Sequence, residues 1–404
     1  MNVLFLTLLD FNSINERGIY TDLMREFIKD NHNVYIISPI EKRKNISTSL
    51  IIFDKYQILK LQIGNTQKTN IIEKGISTIT LESKFKKAIK TYFKDVKFDL
   101  VLYSTPPITL HGAIKYVKKR DNAKTYLLLK DIFPQNAVDL GMLSKYGVKG
   151  IIYKYFKIKE KKLYAQSDYI GCMSPANINY LLKNNKDIKA EIVEVCPNSM
   201  ESVEINNKNH AINNEIKKKY KIPLDKTVYV YGGNLGKPQG VDFIIDCIES
   251  NRDNSLVYFI IVGAGTEFNK IDKYLNDNKI PNVKLYNQLS KYEYEQLVGA
   301  CDVGLIFLDN RFTIPNFPSR LLSYMQAGLP VLAATDMSTD IGKIIKDGNF
   351  GLWSKSGNIN EFNENLNKLC DSKLREIMGR NSRQYFENHY TSKHSYNMII
   401  SHFK

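Results

Sequence analysis

The sequence predicts an α/β fold of two doubly wound domains, each a parallel sheet with crossover helices. Three observations carry that expectation. The chain has 404 residues, enough for two cores of about 150 to 200 residues each. Two successive series of short apolar runs alternate with helical patterns. Glycine-rich turns directly follow two runs of the second series.

In the first series the apolar runs are NVLFLTLL, NVYIISP, DLVLYSTPP, AKTYLLLKDI and DYIGCMS, separated by segments such as IYTDLMREFIKD. Short β-rich runs alternating with helical patterns read as strands of a parallel sheet with crossover helices. The opening MNVLFLTLLDFN has no basic leader and reads as a buried first strand rather than a signal peptide. No run approaches the roughly 18 uninterrupted apolar residues of a membrane helix. The second series is TVYVYGG, SLVYFIIVGAG, NVKLYNQ, VGLIFL and PVLAA. The two halves are thus Rossmann-like, joined near Pro197 to Glu201. Residues 203–223 read as a connector and a surface helix, NEIKKKYKI. The tail has helical spacing with a break near Thr391 and is expected to cross back onto the first domain. The expected boundaries are 1–198, 199–378 and 379–404. Ligands of such sheets bind at the carboxyl ends of the strands, which places the expected site in a cleft between the facing sheets.

Composition narrows the function classes. Hydrophobic content of 43% and charged content of 25% are those of an ordinary globular chain. Cys172, Cys196, Cys247, Cys301 and Cys370 are scattered without CxxC spacing, so neither a metal site nor a disulfide framework is indicated. Their odd number favours a reducing, cytoplasmic setting. The net charge of +15 is localised: residues 84–163 hold 19 Lys or Arg against 6 Asp or Glu. Within them KYGVKGIIYKYFKIKEKKLY (145–164) interleaves aromatic and aliphatic residues with lysine. That mixture fits a helix at an anionic lipid surface; a solvated helix face is the plainer alternative. A nucleic-acid partner is not expected, because no recognisable reading module accompanies the charge.

Three segments carry chemistry. In VYVYGGNLGKPQGVDFII (228–245) Gly232, Gly233 and Gly236 permit a tight turn and close ligand approach after a strand, and Lys237 adds a cation there. IIVGAGTE (260–267) repeats the strand-then-glycine pattern. In FPSRLLSYMQAGLPVLAATD (317–336) Pro318 fits the first turn of a helix, with Ser319 and Arg320 beside its free amides. Arginine suits bidentate contact with phosphate oxygens. Gly328 and Pro330 end the helix before the next strand. For each segment a purely structural turn or cap is the alternative.

Taken in order and spacing, GGNLGKPQG, IIVGAG and PSRLLSYMQAGLPVLA resemble the C-terminal domain of glycosyltransferase family 4, retaining enzymes of the GT-B architecture. The likeness is strongest to the bacterial capsule and O-antigen branch. KDIFPQNAVDLGML (130–143) is similar to that branch's Arg-Asp-Leu-Trp-Pro segment. VCPNSM and DGNFGLW resemble its interdomain joint and its Asp-Gly-x-x-Gly-Leu loop.

The resemblance implies a donor site at Gly232, Gly233, Asn234, Lys237, Gly263, Pro318, Ser319, Arg320 and Ser323, with Asn287, Gln288 and Leu289 around the base. It departs where many members carry two glutamates eight residues apart: Pro315 and Ser323 stand there, so the ribose contact is expected to be weaker or made elsewhere. The implied donor is a UDP-sugar, of the N-acetylated amino or deoxyamino class, and the implied acceptor a polyprenyl-diphosphate-linked saccharide. An enzyme of this kind sits on the cytoplasmic face of the plasma membrane as a peripheral protein. Lys237 and Arg320 would stabilise the leaving diphosphate, with no metal or other cofactor required. On the acceptor side stand Asp131, His111 and Gly18. Asp131 either acts on the incoming hydroxyl or caps the turn after its strand. A non-hydrolysing sugar-nucleotide epimerase of the same architecture is the rival enzyme, but it needs cleft acids and histidines that the second domain lacks.

Overall fold

The computed structural model describes residues 1–66, 69, 71–204 and 210–403. The chain divides into one unit of Met1–Glu201 with Ser392–Lys404 and a second of Ser202–Thr391.

The first unit is built on an eight-stranded sheet. Its strands are β1 (Asn2–Leu6), β2 (Asn33–Glu41), β3 (Ser49–Ile52), β4 (Tyr56–Ile63), β5 (Leu100–Ser104), β6 (Lys124–Leu129), β7 (Tyr169–Cys172) and β8 (Val193–Val195). They lie in the order β3-β4-β2-β1-β5-β6-β7-β8, all parallel except β3, which runs antiparallel to β4. The period-2 alternation sorts side chains to two faces. Leu4, Leu6, Val101, Tyr103, Leu127 and Leu129 pack with Leu81, Phe85, Ile89, Ile114 and Leu163 in one core. These partners lie on helices Ile71–Tyr92, His111–Asp121 and Gly147–Tyr164. Val3, Phe5, Leu100, Leu102 and Leu128 pack on the other face with Leu23, Met24, Phe27, Tyr396 and Ile399. Those come from helices Ile19–Lys29 and Ser392–Ile400.

The second sheet has six parallel strands: β9 (Thr227–Asn234), β10 (Val257–Ala264), β11 (Val283–Tyr286), β12 (Val303–Phe307), β13 (Val331–Thr335) and β14 (Gly351–Lys355). Their order, β11-β10-β9-β12-β13-β14, is the doubly wound 3-2-1-4-5-6 pattern, whose topological switch lies between the first and fourth strands. β9 and β12 pair only at Val303 opposite Tyr229 and Gly304 opposite Val230. β9 continues to Asn234 against β10, so its carboxyl end leaves β12 and opens a crevice.

Some elements differ from the sequence reading. The hairpin β3–β4 and the short β8 were not foreseen. The segment matched to a family loop forms β14 from Gly351. Of the connector 203–223, residues 205–209 lie outside the described residues, and His210–Lys219 is helical. The tail boundary moves from 379 to 392: helix Ser372–His389 stays in the second unit. The reason is packing. Arg383 donates to the carbonyls of Val203 and Gln326, and Phe386 is fully buried. Helix Ser392–Ile400 packs on the first unit, where the Ser392 N–H bonds Met200 O.

Candidate active site

The crevice at the end of β9 is filled by tyrosines and one arginine. Tyr324 lies over Gly304, where a Cβ would come within 2.3 Å of its ring. Its hydroxyl accepts from the Gly232 N–H at 3.2 Å, satisfying an amide that β12 no longer reaches. A Cβ on Gly232 would meet the Tyr294 hydroxyl at 1.9 Å. Glycine here is thus a condition for seating Tyr294.

Arg320 opens the helix Arg320–Gln326, with Tyr324 one turn on. Its guanidinium carbon stands 4.4 Å from the Tyr231 ring centre, a cation–π contact. Tyr231 in turn donates its hydroxyl to the Asn234 carbonyl at 2.8 Å. A Cβ on Gly233 would sit 2.9 Å from Arg320 Nη2, and Gly233 has φ +136°. Both facts keep that position a glycine. Arg320 Nη1 is buried without a hydrogen-bond partner. Burial works against the guanidinium charge, but the surrounding phenols of Tyr231, Tyr324 and Tyr294 outweigh it and hold the pKa above its ordinary value. The result is a fixed cation with an unmet donor at the switch point of the sheet. Such a donor is stabilised by an anionic acceptor.

The other expected donor residues take varied places. Lys237 is exposed on the short turn Lys237–Gln239, after Gly236. That turn is held by Gln239, whose Oε1 accepts from the Gly236 N–H and from Asn234 Nδ2, each at 3.2 Å. Gly263 is buried and is explained by packing, since a Cβ would fall 2.0 Å from Gly233 O. Asn287 and Gln288 are exposed and Leu289 is half-buried in the loop after β11. Pro318 and Ser323 are half-buried and Ser319 is exposed, with no cap hydrogen bond from its side chain. The expectation of free first-turn amides fails in part. The N–H groups of Leu321 and Leu322 bond back to Pro318 O and Ser319 O at 3.2 and 3.1 Å. The tight 3₁₀-like start consumes them, leaving the side chain of Arg320 as the anion contact. Pro315 is buried.

Tyr231, Tyr294 and Tyr324 were not foreseen. Tyr324 had a signal, because residues four apart share a helix face and Arg320 precedes it by four. Tyr231 and Tyr294 had none.

In the first unit Asp131 follows β6 beside the switch between β1 and β5. Its N–H donates to Thr105 Oγ1 at 3.2 Å, and Asn136 Nδ2 donates to its Oδ1 at 2.8 Å. Burial pushes its carboxyl up to about 6 from 3.8, against the lowering effect of the Ile132 amide and Asn136. His111 starts the helix His111–Asp121 with Nδ1 3.2 Å from Glu82. Burial lowers its pKa, with Glu82 opposing and Lys159, Lys162 and Lys115 reinforcing. Glu82 also holds Lys159 and accepts from the Gly112 N–H, so His111 belongs to a brace between helices. Gly18 caps helix Ile19–Lys29, its N–H donating to Asp22 Oδ1 at 2.9 Å. Its role is that turn.

The basic segment forms the helix Gly147–Tyr164. Tyr146, Val148 and Ile151 are 84%, 79% and 70% exposed, and Ile152 and Ile158 are also exposed. Lys145, Lys149, Lys154, Lys161 and Lys162 stand exposed among them. Lys157 and Lys159 are instead committed to Glu160 and Glu82. No helix among the described residues is long and apolar enough to cross a membrane.

Residues 212–385 match the family model "Glycosyl transferases group 1". The probable glycosyltransferase WbjE of Pseudomonas aeruginosa is 23% identical over 72% of this chain and 70% of its own length. The putative colanic acid biosynthesis glycosyl transferase WcaI of Escherichia coli K12 is 22% identical over 61% of this chain and 60% of its own. Sucrose-phosphate synthase from Thermosynechococcus elongatus superposes with a TM-score of 0.77 at 14% identity, covering 100% of this chain and 98% of that one. Anabaena Alr3699/HepE, solved in complex with UDP-glucose, does so at 0.70 and 13% identity, over 100% and 99%. With a group 1 domain in its second unit and relatives named as glycosyltransferases, this chain is a transferase, a glycosyltransferase of GT-B architecture.

Proposed function

We propose that the enzyme moves a sugar, with retention, from a UDP-sugar to a lipid-linked saccharide during assembly of a bacterial capsule or O-antigen. The observation that carries the donor half is Arg320: a half-buried arginine whose buried Nη1 is unmet, stacked on Tyr231 beside Gly233 at the sheet's switch point. A leaving diphosphate gains negative charge as the anomeric bond breaks, and a preorganised guanidinium is worth more to that state than to the ground state. Lys237, exposed on the neighbouring turn, adds mobile charge. The chain's own cations thus serve the diphosphate, and the proposal needs no metal ion. The UDP-glucose complex of the structurally similar Anabaena protein favours uridine. The transferred sugar is proposed to be of the N-acetylated amino or deoxyamino class.

Asp131 is proposed to receive or orient the acceptor hydroxyl. With its pKa at about 6 it is ionised at neutral pH yet basic enough to take a proton. The exposed Tyr146, Val148 and Ile151 with their lysine neighbours support docking on an anionic membrane, where a polyprenyl-linked acceptor resides. A surface-polysaccharide role is supported by the colanic acid relative. The epimerase alternative is set aside, because the matched relatives are glycosyltransferases. A thermal-shift panel of nucleotides and nucleotide sugars tests the donor reading: UDP and its sugars are expected to raise the melting temperature. A panel in which no uridine nucleotide does so refutes it.

A further inference from the structure

A second cationic site lies in the first unit, next to the His111 and Glu82 brace and apart from the proposed donor and acceptor residues. Helices Ile71–Tyr92 and His111–Asp121 pack together and leave a cavity of about 490 Å³ lined by Lys86, Gly112, Lys115, Tyr116, Lys119 and Arg120. Tyr116 is its centre. Lys86 Nζ, Lys90 Nζ and the Arg120 guanidinium carbon stand 5.6, 5.1 and 5.6 Å from its ring centre.

The charge pattern there is unbalanced. Lys86 and Lys90 are one helical turn apart, as are Lys115 and Lys119 on the facing helix. Like charges at that spacing destabilise a helix; Lys86, Lys115 and Lys119 line the groove, and Lys90 stands over Tyr116 beside it. Arg120 is neutralised by Asp121 and tied to Phe93 O and Val96 O. Glu82, which accepts from the Gly112 N–H of the groove, is also occupied by Lys159 and His111. None of Lys86, Lys90, Lys115 and Lys119 has an ion pair among the described residues. Nothing in the fold requires such repulsion, and an anion of high charge density would relieve it.

We propose that this groove binds a phosphate-bearing anion, held by the Lys86, Lys90, Lys115 and Lys119 ammonium groups around Tyr116. The volume fits a phosphorylated headgroup or a diphosphate. The proposal stands on the first unit alone and does not depend on the donor reading.

The test uses the full chain carrying Arg320→Ala, which is expected to weaken the donor site, with and without Lys86→Gln plus Lys119→Gln. One arm titrates inorganic pyrophosphate by calorimetry. The other measures sedimentation with phosphatidic acid vesicles against phosphatidylcholine vesicles. The double substitution is expected to weaken binding about tenfold or more in at least one arm. Loss in the pyrophosphate arm identifies a soluble ligand, and loss in the vesicle arm alone identifies a lipid headgroup. Without any anion and at low salt, the double variant is expected to melt no lower than its parent, since repulsion has been removed. Binding unchanged by the substitutions in both arms overturns the proposal. Wild-type UDP affinity in the Arg320→Ala chain refutes the donor reading and leaves this site untouched.

Discussion

Arg320→Ala distinguishes a ligand-facing cation from a structural one, because the two roles predict opposite patterns of stability and binding. In the free protein the substitution removes the stack on Tyr231, worth about 0.5–2 kcal/mol. It also removes Nη1, a buried donor without a partner, whose desolvation costs about 1–3 kcal/mol. These terms nearly cancel, so the ligand-free melting temperature is expected to move only a few degrees, in either direction. With donor bound the balance differs. Each hydrogen bond to a charged acceptor contributes about 1.5–3 kcal/mol, so losing one guanidinium contact lowers UDP affinity by about 10- to 150-fold. Loss of a transition-state contact lowers kcat/KM by about 100- to 1000-fold.

The assay is a paired one: calorimetric UDP affinity and a sugar-transfer rate, each with the melting curve of the same preparation. Arg320→Lys keeps the charge but not the planar fork, and is expected to recover part of the affinity and little of the rate. Wild-type UDP affinity in a folded Arg320→Ala protein would refute the reasoning. So would an unfolded variant whose fold returns with a neutral residue of similar bulk, such as Met, since the guanidinium would then be filling space rather than awaiting a ligand.

Gly233→Ala places a Cβ 2.9 Å from Arg320 Nη2 at φ +136°; it is expected to cost about 1–3 kcal/mol of stability and to lower UDP affinity, read by melting curves and calorimetry. Asp131→Asn tests the acceptor side through pH: if the carboxylate takes the proton, the wild-type rate falls below a limb near its pKa of about 6, and that limb is absent from the variant's residual activity. The same substitution has a stability signature. Because the folded pKa is raised from 3.8 to about 6, wild type has its full Asp131 contribution below pH 3.8 and loses it as pH rises to about 6. The variant's advantage in melting temperature is therefore expected to grow across that window and stay level above it. Lys154→Gln with Lys161→Gln is expected to weaken sedimentation with phosphatidylglycerol vesicles about thirtyfold, at about 1 kcal/mol per charge. Lys157 and Lys159 hold Glu160 and Glu82, so their substitution is expected to register in stability instead.

The doubly wound architecture was legible because parallel strands buried on both faces read as continuous apolar runs. β1, β5, β9 and β12 are of that kind. β4 was not, because YQILKLQI carries Lys60 in its middle, a buried lysine that pairs with Asp10. A polar residue satisfied by a distant carboxylate breaks a periodicity that only the fold restores. In the site, Arg320 and Gly233 were visible as a cation after a strand and a glycine at a turn. What their meeting required was not visible: Tyr231 beneath the guanidinium and Tyr324 in the gap left by β12. Tyrosines in strands and helices look like core until the register shows which strand has lost its neighbour.

Both sheets are doubly wound, and the proposed function divides the chemistry between them. In each, the site candidate sits by the strands where the order reverses, Asp131 after β6 and Gly233 with Arg320 at the end of β9. A parallel sheet leaves unpaired groups there whatever its sequence, so the fold provides an opening and the side chains decide its polarity. The second unit fills its opening with phenols and a guanidinium, which favours a developing anion. The first holds the Asp131 backbone N–H on Thr105 and its half-buried carboxylate on Asn136, an arrangement proposed to favour a proton leaving a hydroxyl. Sugar transfer needs both, charge taken up at the departing diphosphate and a proton accepted from the incoming oxygen. Activity that keeps its full pH profile in Asp131→Asn would therefore undo the division of labour, while leaving the donor site standing.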